Sequence, residues 1–161
     1  MIEIVTTGNL LDDDAQALVN PVNTIGVVGS KLTRRFKRRF PQMYSDYRSR
    51  ARSGGIRIGE MLVWQDPSGA GPIIINFPIK QHWIRDSHLS YIQSGLDALT
   101  ETVEALDIGS IAMPALGCGL GGLAWNDVLP QIERAFQGLP DVDVRVYHVR
   151  DHLQLMQESH W

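Results

Sequence analysis

Lys80 ends the apolar run Ile73-Ile74-Ile75-Asn76-Phe77-Pro78-Ile79 and is followed by Gln81-His82-Trp83. An amine partly withdrawn from water at such a strand end is disposed to act as a nucleophile or base. The alternative is an ordinary solvated lysine closing a strand. His82 and Trp83 offer either a stacking surface for a base or one more piece of core. Two further segments carry chemistry through their backbones. In Asn20-Pro21-Val22-Asn23-Thr24-Ile25-Gly26-Val27-Val28-Gly29-Ser30, the amides of Asn20 and Asn23 can donate to and accept from sugar hydroxyls. Gly26 and Gly29 let the backbone approach a ligand closely, and N–H groups at a helix start favour phosphate. The same residue types also make plain turns. In Pro114-Ala115-Leu116-Gly117-Cys118-Gly119-Leu120-Gly121-Gly122, four glycines follow the buried run Ile111-Ala112-Met113 and precede a helix. A loop cradling a diphosphate is built at such a place, although the spacing is neither a Walker sequence nor the dinucleotide fingerprint. Two such loops suit one ligand gripped from both sides. Cys118 has no partner base in sequence and reads as a small loop residue. As the single cysteine it permits no internal disulfide and no Cys-rich metal cage, so no metal site is expected.

The elements that must position these residues follow from periodicity. Ile2–Thr6 alternates as a strand, and Asp12-Asp13-Asp14 suits the first turn of a short helix. Ala17–Asn20 is a second strand stopped by Pro21. Leu32, Phe36 and Phe40 at four-residue spacing mark one stripe of a helix ending near Pro41, with another helix over Met43–Arg52. Glu60–Trp64 and Ile73–Phe77 read as strands. Leu89, Ile92, Leu96, Leu99 and Val103 define the longest helix, about Ser87 to Leu106. A buried strand at Ile111–Met113, a helix at Asn126–Phe136 and an alternating strand at Val142–Val149 complete the series. Interleaved strands and helices predict a three-layer α/β domain whose mixed, mainly parallel sheet is flanked by helices and binds ligand at the strand carboxyl ends.

At 161 residues and 43% hydrophobic content the chain has the size and composition of one folded domain, and disorder is excluded. Residues 1–155 are expected to form that domain, with 156–161 a tail or the start of a linker. No apolar run reaches the roughly 20 residues of a membrane helix, and the first residues lack the pattern of a signal peptide, so a cytoplasmic location without membrane association is expected. The formal net charge of −3 hides a segregation: from Lys31 to Arg57 stand ten Lys and Arg against the single acid Asp46, a net of +9, and the remainder carries −12. That block is either a footprint for a polyanion or a solvated helix face.

Taken together, Thr7-Gly8-Asn9-Leu10-Leu11, Val19-Asn20-Pro21-Val22-Asn23-Thr24-Ile25-Gly26 with Gly29, and Ile111-Ala112-Met113-Pro114-Ala115-Leu116-Gly117-Cys118-Gly119-Leu120 resemble, in order and spacing, the macrodomain signature over about residues 1–150. Ile79-Lys80 before the long helix, with Gly117-Cys118-Gly119-Leu120, is similar to the terminal ADP-ribose glycohydrolase branch, and within it to the DarG-type antitoxins. The resemblance implies a three-layer macrodomain fold with an ADP-ribose cleft. Gly8, Asn9 and Leu10 would lie near the adenine; many members carry Asp where Asn9 stands. Leu116, Gly117, Cys118, Gly119, Leu120, Gly121 and Gly122 would hold the diphosphate. Asn20, Asn23, Thr24, Gly26, Gly29 and Ser30 would surround the distal ribose. Lys80 matches the catalytic lysine of the branch, but Gly121 stands where the human-type members carry a catalytic Asp.

The activity so implied is a DNA ADP-ribosyl glycohydrolase that frees ADP-ribose from thymidine bases of single-stranded DNA, an antitoxin to a DarT-type DNA ADP-ribosyltransferase. It would work as a monomer without a cofactor. Lys80 would attack, or transfer a proton at, the anomeric carbon of the distal ribose, with the diphosphate offsetting oxocarbenium charge. Lys31, Arg34, Arg35 and Arg38, with His82 and Trp83, would hold the flanking DNA. Two alternatives stand beside it: a hydrolase of ADP-ribose esters on protein Glu and Asp, and a non-catalytic reader of ADP-ribose. Lys80 separates eraser from reader, and Gly121 counts against the ester hydrolase.

Overall fold

A computed structural model describes residues 1–149; the expected domain end at residue 155 and the expected tail at 156–161 lie outside them. Six strands form one sheet in the order β1-β6-β5-β2-β4-β3. They are β1 (Ile2–Val5), β2 (Ala17–Asn23), β3 (Leu62–Trp64), β4 (Ile73–Lys80), β5 (Ser110–Pro114) and β6 (Asp143–Tyr147). All neighbours run parallel except the edge strand β3, which pairs antiparallel with β4. Four helices complete the chain: α1 (Lys31–Arg39), α2 (Pro41–Arg52), α3 (Leu89–Ala105) and α4 (Trp125–Phe136).

Both faces of the sheet are covered, which is why its strands are near-continuous apolar runs. Side chains alternate across a strand. Ala17, Val19, Ile75, Phe77, Ile111, Met113, Val144 and Val146 therefore point to one face, where they meet Ile92, Leu96, Leu99 and Val103 of α3 and Val128, Ile132 and Phe136 of α4. Leu18, Ile74 and Ala112 point to the other, against Phe36 of α1, Met43 of α2 and Leu10 and Leu11. Gly95 lets α3 lie flat on the sheet, since a Cβ there would stand 2.3 Å from the Phe77 ring. No helix among the described residues is long and apolar enough to cross a membrane.

Three sequence expectations are corrected. Asp13 and Asp14 do not open a helix: a short 3-10 turn, Leu10–Asp12, is capped by Asn9 Oδ1, which accepts from Leu11 N. Asp13, its side chain 3% exposed, instead accepts from Arg145 and from Tyr147 Oη at 2.6 Å each. An ion pair across 132 residues competes for those carboxylates, and local pattern cannot reveal it. Pro21 does not stop β2, which continues to Asn23. Pairing with β5 covers only Ala17 and Leu18, and the Pro21 carbonyl accepts from Thr33 Oγ1 at 2.8 Å instead. Proline inside β2, beyond the stretch that pairs with β5 and in register with Phe77 of β4, costs no ladder bond to β5. The longest helix starts at Leu89 with His88 at its N-cap, because Ser87 is bound into the site described next.

Candidate functional site

The carboxyl ends of β2, β4 and β5 and the N-terminus of α1 enclose one cleft, as expected where parallel strands end. Its walls are Pro21, Val22 and Asn23; Gly29, Ser30, Leu32 and Thr33; Ile79, Lys80 and Trp83; and Pro114–Gly117 with Gly119–Gly121. Lys80 is the one titratable side chain among them. No group of three or more His, Cys, Asp or Glu able to hold a metal occurs among the described residues.

The first loop is organised by Asn23. Its Oδ1 accepts from the N–H groups of Ile25, Gly26 and Val27 at 3.0–3.2 Å, and its Nδ2 donates to Val27 O at 2.7 Å. Tyr47 Oη donates to the Asn23 carbonyl at 2.6 Å, and burial pushes that phenol far above its usual range. Gly26 adopts φ +83°, and a Cβ there would lie 2.8 Å from Ala51 Cβ, so the loop lies tight on α2. Ser30 caps α1, its Oγ accepting from Thr33 N at 3.1 Å. The N-terminus of α1 thereby brings its free N–H groups and positive dipole end to the cleft wall.

The glycine loop is closed by its own backbone. Cys118 N donates to Ala115 O, Gly122 N to Gly119 O and Leu123 N to Gly117 O. The N–H groups of Gly119, Leu120 and Gly121 have no acceptor among the described residues. Donors so gathered on a cleft wall form an anion-binding concavity. Gly121 has no room for a side chain, because a Cβ would sit 2.4 Å from the Gly117 carbonyl oxygen. Desolvation, then the nearby Asp127 carboxylate, pushes the Cys118 thiol up to about 11, so it stays protonated and unreactive at neutral pH.

Lys80, 7% exposed, reaches the glycine loop. Its Nζ donates to Leu120 O at 2.8 Å and to Trp83 O at 3.4 Å. Ser87 ties the same parts together: its Oγ donates to Ile79 O at 2.5 Å and its N–H to Gly121 O at 2.9 Å. The amine is thus fixed between two loops by carbonyls on either side. Next to it, Trp83 is half exposed, and a Cβ at Gly29 would lie 3.6 Å from Trp83 Cβ.

Of the residues singled out from sequence, Lys80, Asn23, Gly29, Ser30, Trp83, Leu116, Gly117, Gly119, Leu120 and Gly121 share this cleft. Others stand apart from its lining. Asn20 is fully buried, its Nδ2 donating to Asn76 Oδ1 at 3.0 Å and its Oδ1 unpartnered among the described residues. Gly26, Cys118 and Gly122 shape the loops from behind, and Thr24 Oγ1 donates to Gln81 O at 2.9 Å. Gly8, Asn9 and Leu10 belong to the turn after β1. His82 stacks on Trp83 with ring centroids 6.0 Å apart. Lys31, Arg34, Arg35 and Arg38 project from α1 and are exposed. Sequence reasoning missed Ser87, whose only signal was a small hydroxyl just ahead of an apolar stripe, and Thr33, hidden between Leu32 and two arginines.

A mixed, mainly parallel sheet sandwiched by helices, with two backbone-lined loops facing each other across its strand ends, is the architecture of a macrodomain. The Macro domain family model matches residues 19–132, and the chain belongs to that family. Among characterised relatives, the DNA ADP-ribosyl glycohydrolase of Mycobacterium tuberculosis is 46% identical over 142 residues, covering 88% of this chain and 40% of that protein. The macrodomain of Mycobacterium tuberculosis DarG superposes with a TM-score of 0.85 at 45% identity, covering 90% of this chain and 97% of the other. Thermosipho africanus DarTG in complex with ADP-ribose superposes with a TM-score of 0.83 at 30% identity, covering 92% of this chain and 41% of the other. The chain spans about two-fifths of the length of the curated relatives it matches.

Proposed function

We propose that this macrodomain is a DNA ADP-ribosyl glycohydrolase, removing ADP-ribose from a base of single-stranded DNA, with Lys80 as its catalytic residue. One observation carries the reading: a buried primary amine, anchored to Leu120 O at 2.8 Å, stands in a cleft between the N-terminus of α1 and a glycine loop in which the N–H groups of Gly119, Leu120 and Gly121 have no acceptor among the described residues. The loops suit a diphosphate, and the amine suits the sugar beyond it. The relatives at 46% and 42% identity carry the name of this activity, and the solved Thermosipho africanus homologue holds ADP-ribose.

In this mechanism the glycine loop and the α1 N-terminus hold the diphosphate, and Lys80 Nζ acts at the anomeric carbon of the distal ribose. The bond from that carbon to the base nitrogen breaks, water supplies the hydroxyl that completes free ADP-ribose, and the remaining proton of that water goes to the base nitrogen. A diphosphate held there would offset the positive charge that develops on the sugar. A mechanism pairing the lysine with an Asp at position 121 has no place here, since no side chain fits there. The basic face of α1, with His82 and Trp83, holds the strand on either side of the modified base. The partner is a DarT-type toxin that installs the modification, supported by a 31% identical relative that is a fusion of DNA ADP-ribosyl transferase and DNA ADP-ribosyl glycohydrolase.

The test compares release of ADP-ribose from modified single-stranded DNA with release from ester-modified protein, for the wild type and Lys80→Ala. Turnover on DNA that vanishes with the lysine is expected. Cleavage of the protein ester alone would reject this reading.

A further inference from the structure

The structure sorts the basic block that the sequence presented as one run. Arg39 is bound, donating to Leu11 O at 2.8 Å and pairing with Asp12 at 2.9 Å. Arg34, Lys37 and Arg38 lie at i, i+3 and i+4, so they share one face of α1. They line a groove with Val28, Pro41 and Tyr44. None of the three makes an ion pair with a described residue; Lys37 Nζ rests 4.7 Å over the Tyr44 ring. Tyr44 is 7% exposed, its hydroxyl directed to Gly26 O at 3.4 Å, so it is a rigid floor rather than a mobile side chain. Val28 adjoins Gly29 of the cleft wall, and groove and cleft therefore meet at this loop.

The geometry points to a second site: a phosphate-binding groove on α1, made by Arg34, Lys37 and Arg38, that holds the DNA backbone a few nucleotides away from the modified base. This rests on the proposed DNA substrate. Two guanidinium forks and an ammonium, with no carboxylate lining the groove, match phosphodiester oxygens. The distance can be read from the helix. With a rise of 1.5 Å per residue, Arg34 and Arg38 lie about 6 and 12 Å along α1 from Ser30 at the cleft. A stacked strand covers that in roughly two to four nucleotides at about 3.4 Å each. An acidic peptide would meet the same charge but has no reason to favour that spacing from the cleft.

The test uses Arg34→Gln/Lys37→Gln/Arg38→Gln beside Arg50→Gln/Arg52→Gln/Arg57→Gln, which removes three charges from exposed positions outside the groove. Binding of an unmodified ten-nucleotide single strand is followed by anisotropy between 50 and 200 mM salt. Release of ADP-ribose is followed from a modified ten-nucleotide strand and from a single modified nucleoside. The groove variant is expected to bind the strand at least about tenfold more weakly, and to lose about 2 from the slope of log affinity against log salt, as three phosphate contacts require. Its kcat/KM should fall on the strand and hold on the nucleoside, with the remote variant close to wild type. Equal losses in the two variants, or a groove variant that binds the strand like wild type, would overturn the groove. So would polyglutamate displacing the strand at equal charge. If strand binding follows the groove while the wild type releases nothing from either DNA substrate, the groove stands and the proposed activity fails.

Discussion

Lys80 Nζ and the carbonyl oxygen of Leu120 are 2.8 Å apart although forty residues separate them in sequence. That bond joins the end of β4 to the middle of the glycine loop. The group proposed to meet the sugar and the backbone proposed to meet the diphosphate therefore share one support, and preorganisation of this kind is where enzymes gain most. Lys80→Ala should leave ADP-ribose binding within a few-fold by calorimetry and lower release by at least about 100-fold, the usual scale for a positioned catalytic group. A variant with wild-type turnover would remove Lys80 from the mechanism.

Ser87 stands one step behind the lysine. Its Oγ holds the carbonyl of Ile79, the residue before Lys80, and its N–H holds Gly121, the residue after Leu120. Ser87→Ala should lower kcat roughly tenfold while KM stays within twofold, and Ser87→Thr should recover part of kcat. Losing a buried hydrogen bond also costs about 1–3 kcal/mol, which a thermal scan would register. A loss of stability in Ser87→Ala with unchanged kcat would mean a purely structural serine.

Placing at position 121 the carboxylate that the resemblance to human-type members implies should fail. In Gly121→Asp the new Cβ would stand 2.4 Å from the Gly117 oxygen, so the loop must open and its array of N–H groups be lost. Titration should show ADP-ribose affinity reduced by at least about tenfold, with no gain on ester-modified protein. Tight binding together with new ester hydrolysis would show that the loop can adapt.

Cys118 tests the electrostatics of the same loop. Its thiol is pushed up from 9.0 to about 11 in the folded chain, so the thiolate fraction at pH 8 is about 100-fold below that of the unfolded chain. Iodoacetamide should label it about that much more slowly in the native protein than in denaturant. For stability the sign is fixed: the folded state binds the proton more tightly, so this contribution is complete below pH 9 and is lost as pH rises through about 11. Rapid native labelling at pH 8 would contradict this environment.

Gly95 separates fold from function. A methyl group there meets the Phe77 ring at 2.3 Å, and overpacking of about 1–3 kcal/mol outweighs the gain of up to about 1 kcal/mol that alanine brings to a helix. Gly95→Ala should lower the melting temperature by roughly 2–4 °C per kcal/mol lost and keep kcat, because neither residue lines the cleft. A raised melting temperature would refute the packing argument.

The sequence by itself determined the layers. Apolar, β-branched runs such as Ile73–Phe77 and the short run Ile111–Met113 read as buried strands, and the stripe Ile92-Leu96-Leu99-Val103 reads as a helix laid across them. It also determined that two glycine loops and one lysine fall at strand ends, because strand and turn chemistry are local. What it left open needed distance. Asp13 reads as a helix opener until Arg145 and Tyr147 arrive from the far end of the chain, and Ser87 reads as a helix start until Ile79 and Gly121 close around it. The tertiary structure alone decided which donors converge on one cleft and which of ten basic side chains line the α1 groove. Those choices depend on pairings across tens of residues, and no window of local periodicity contains both partners.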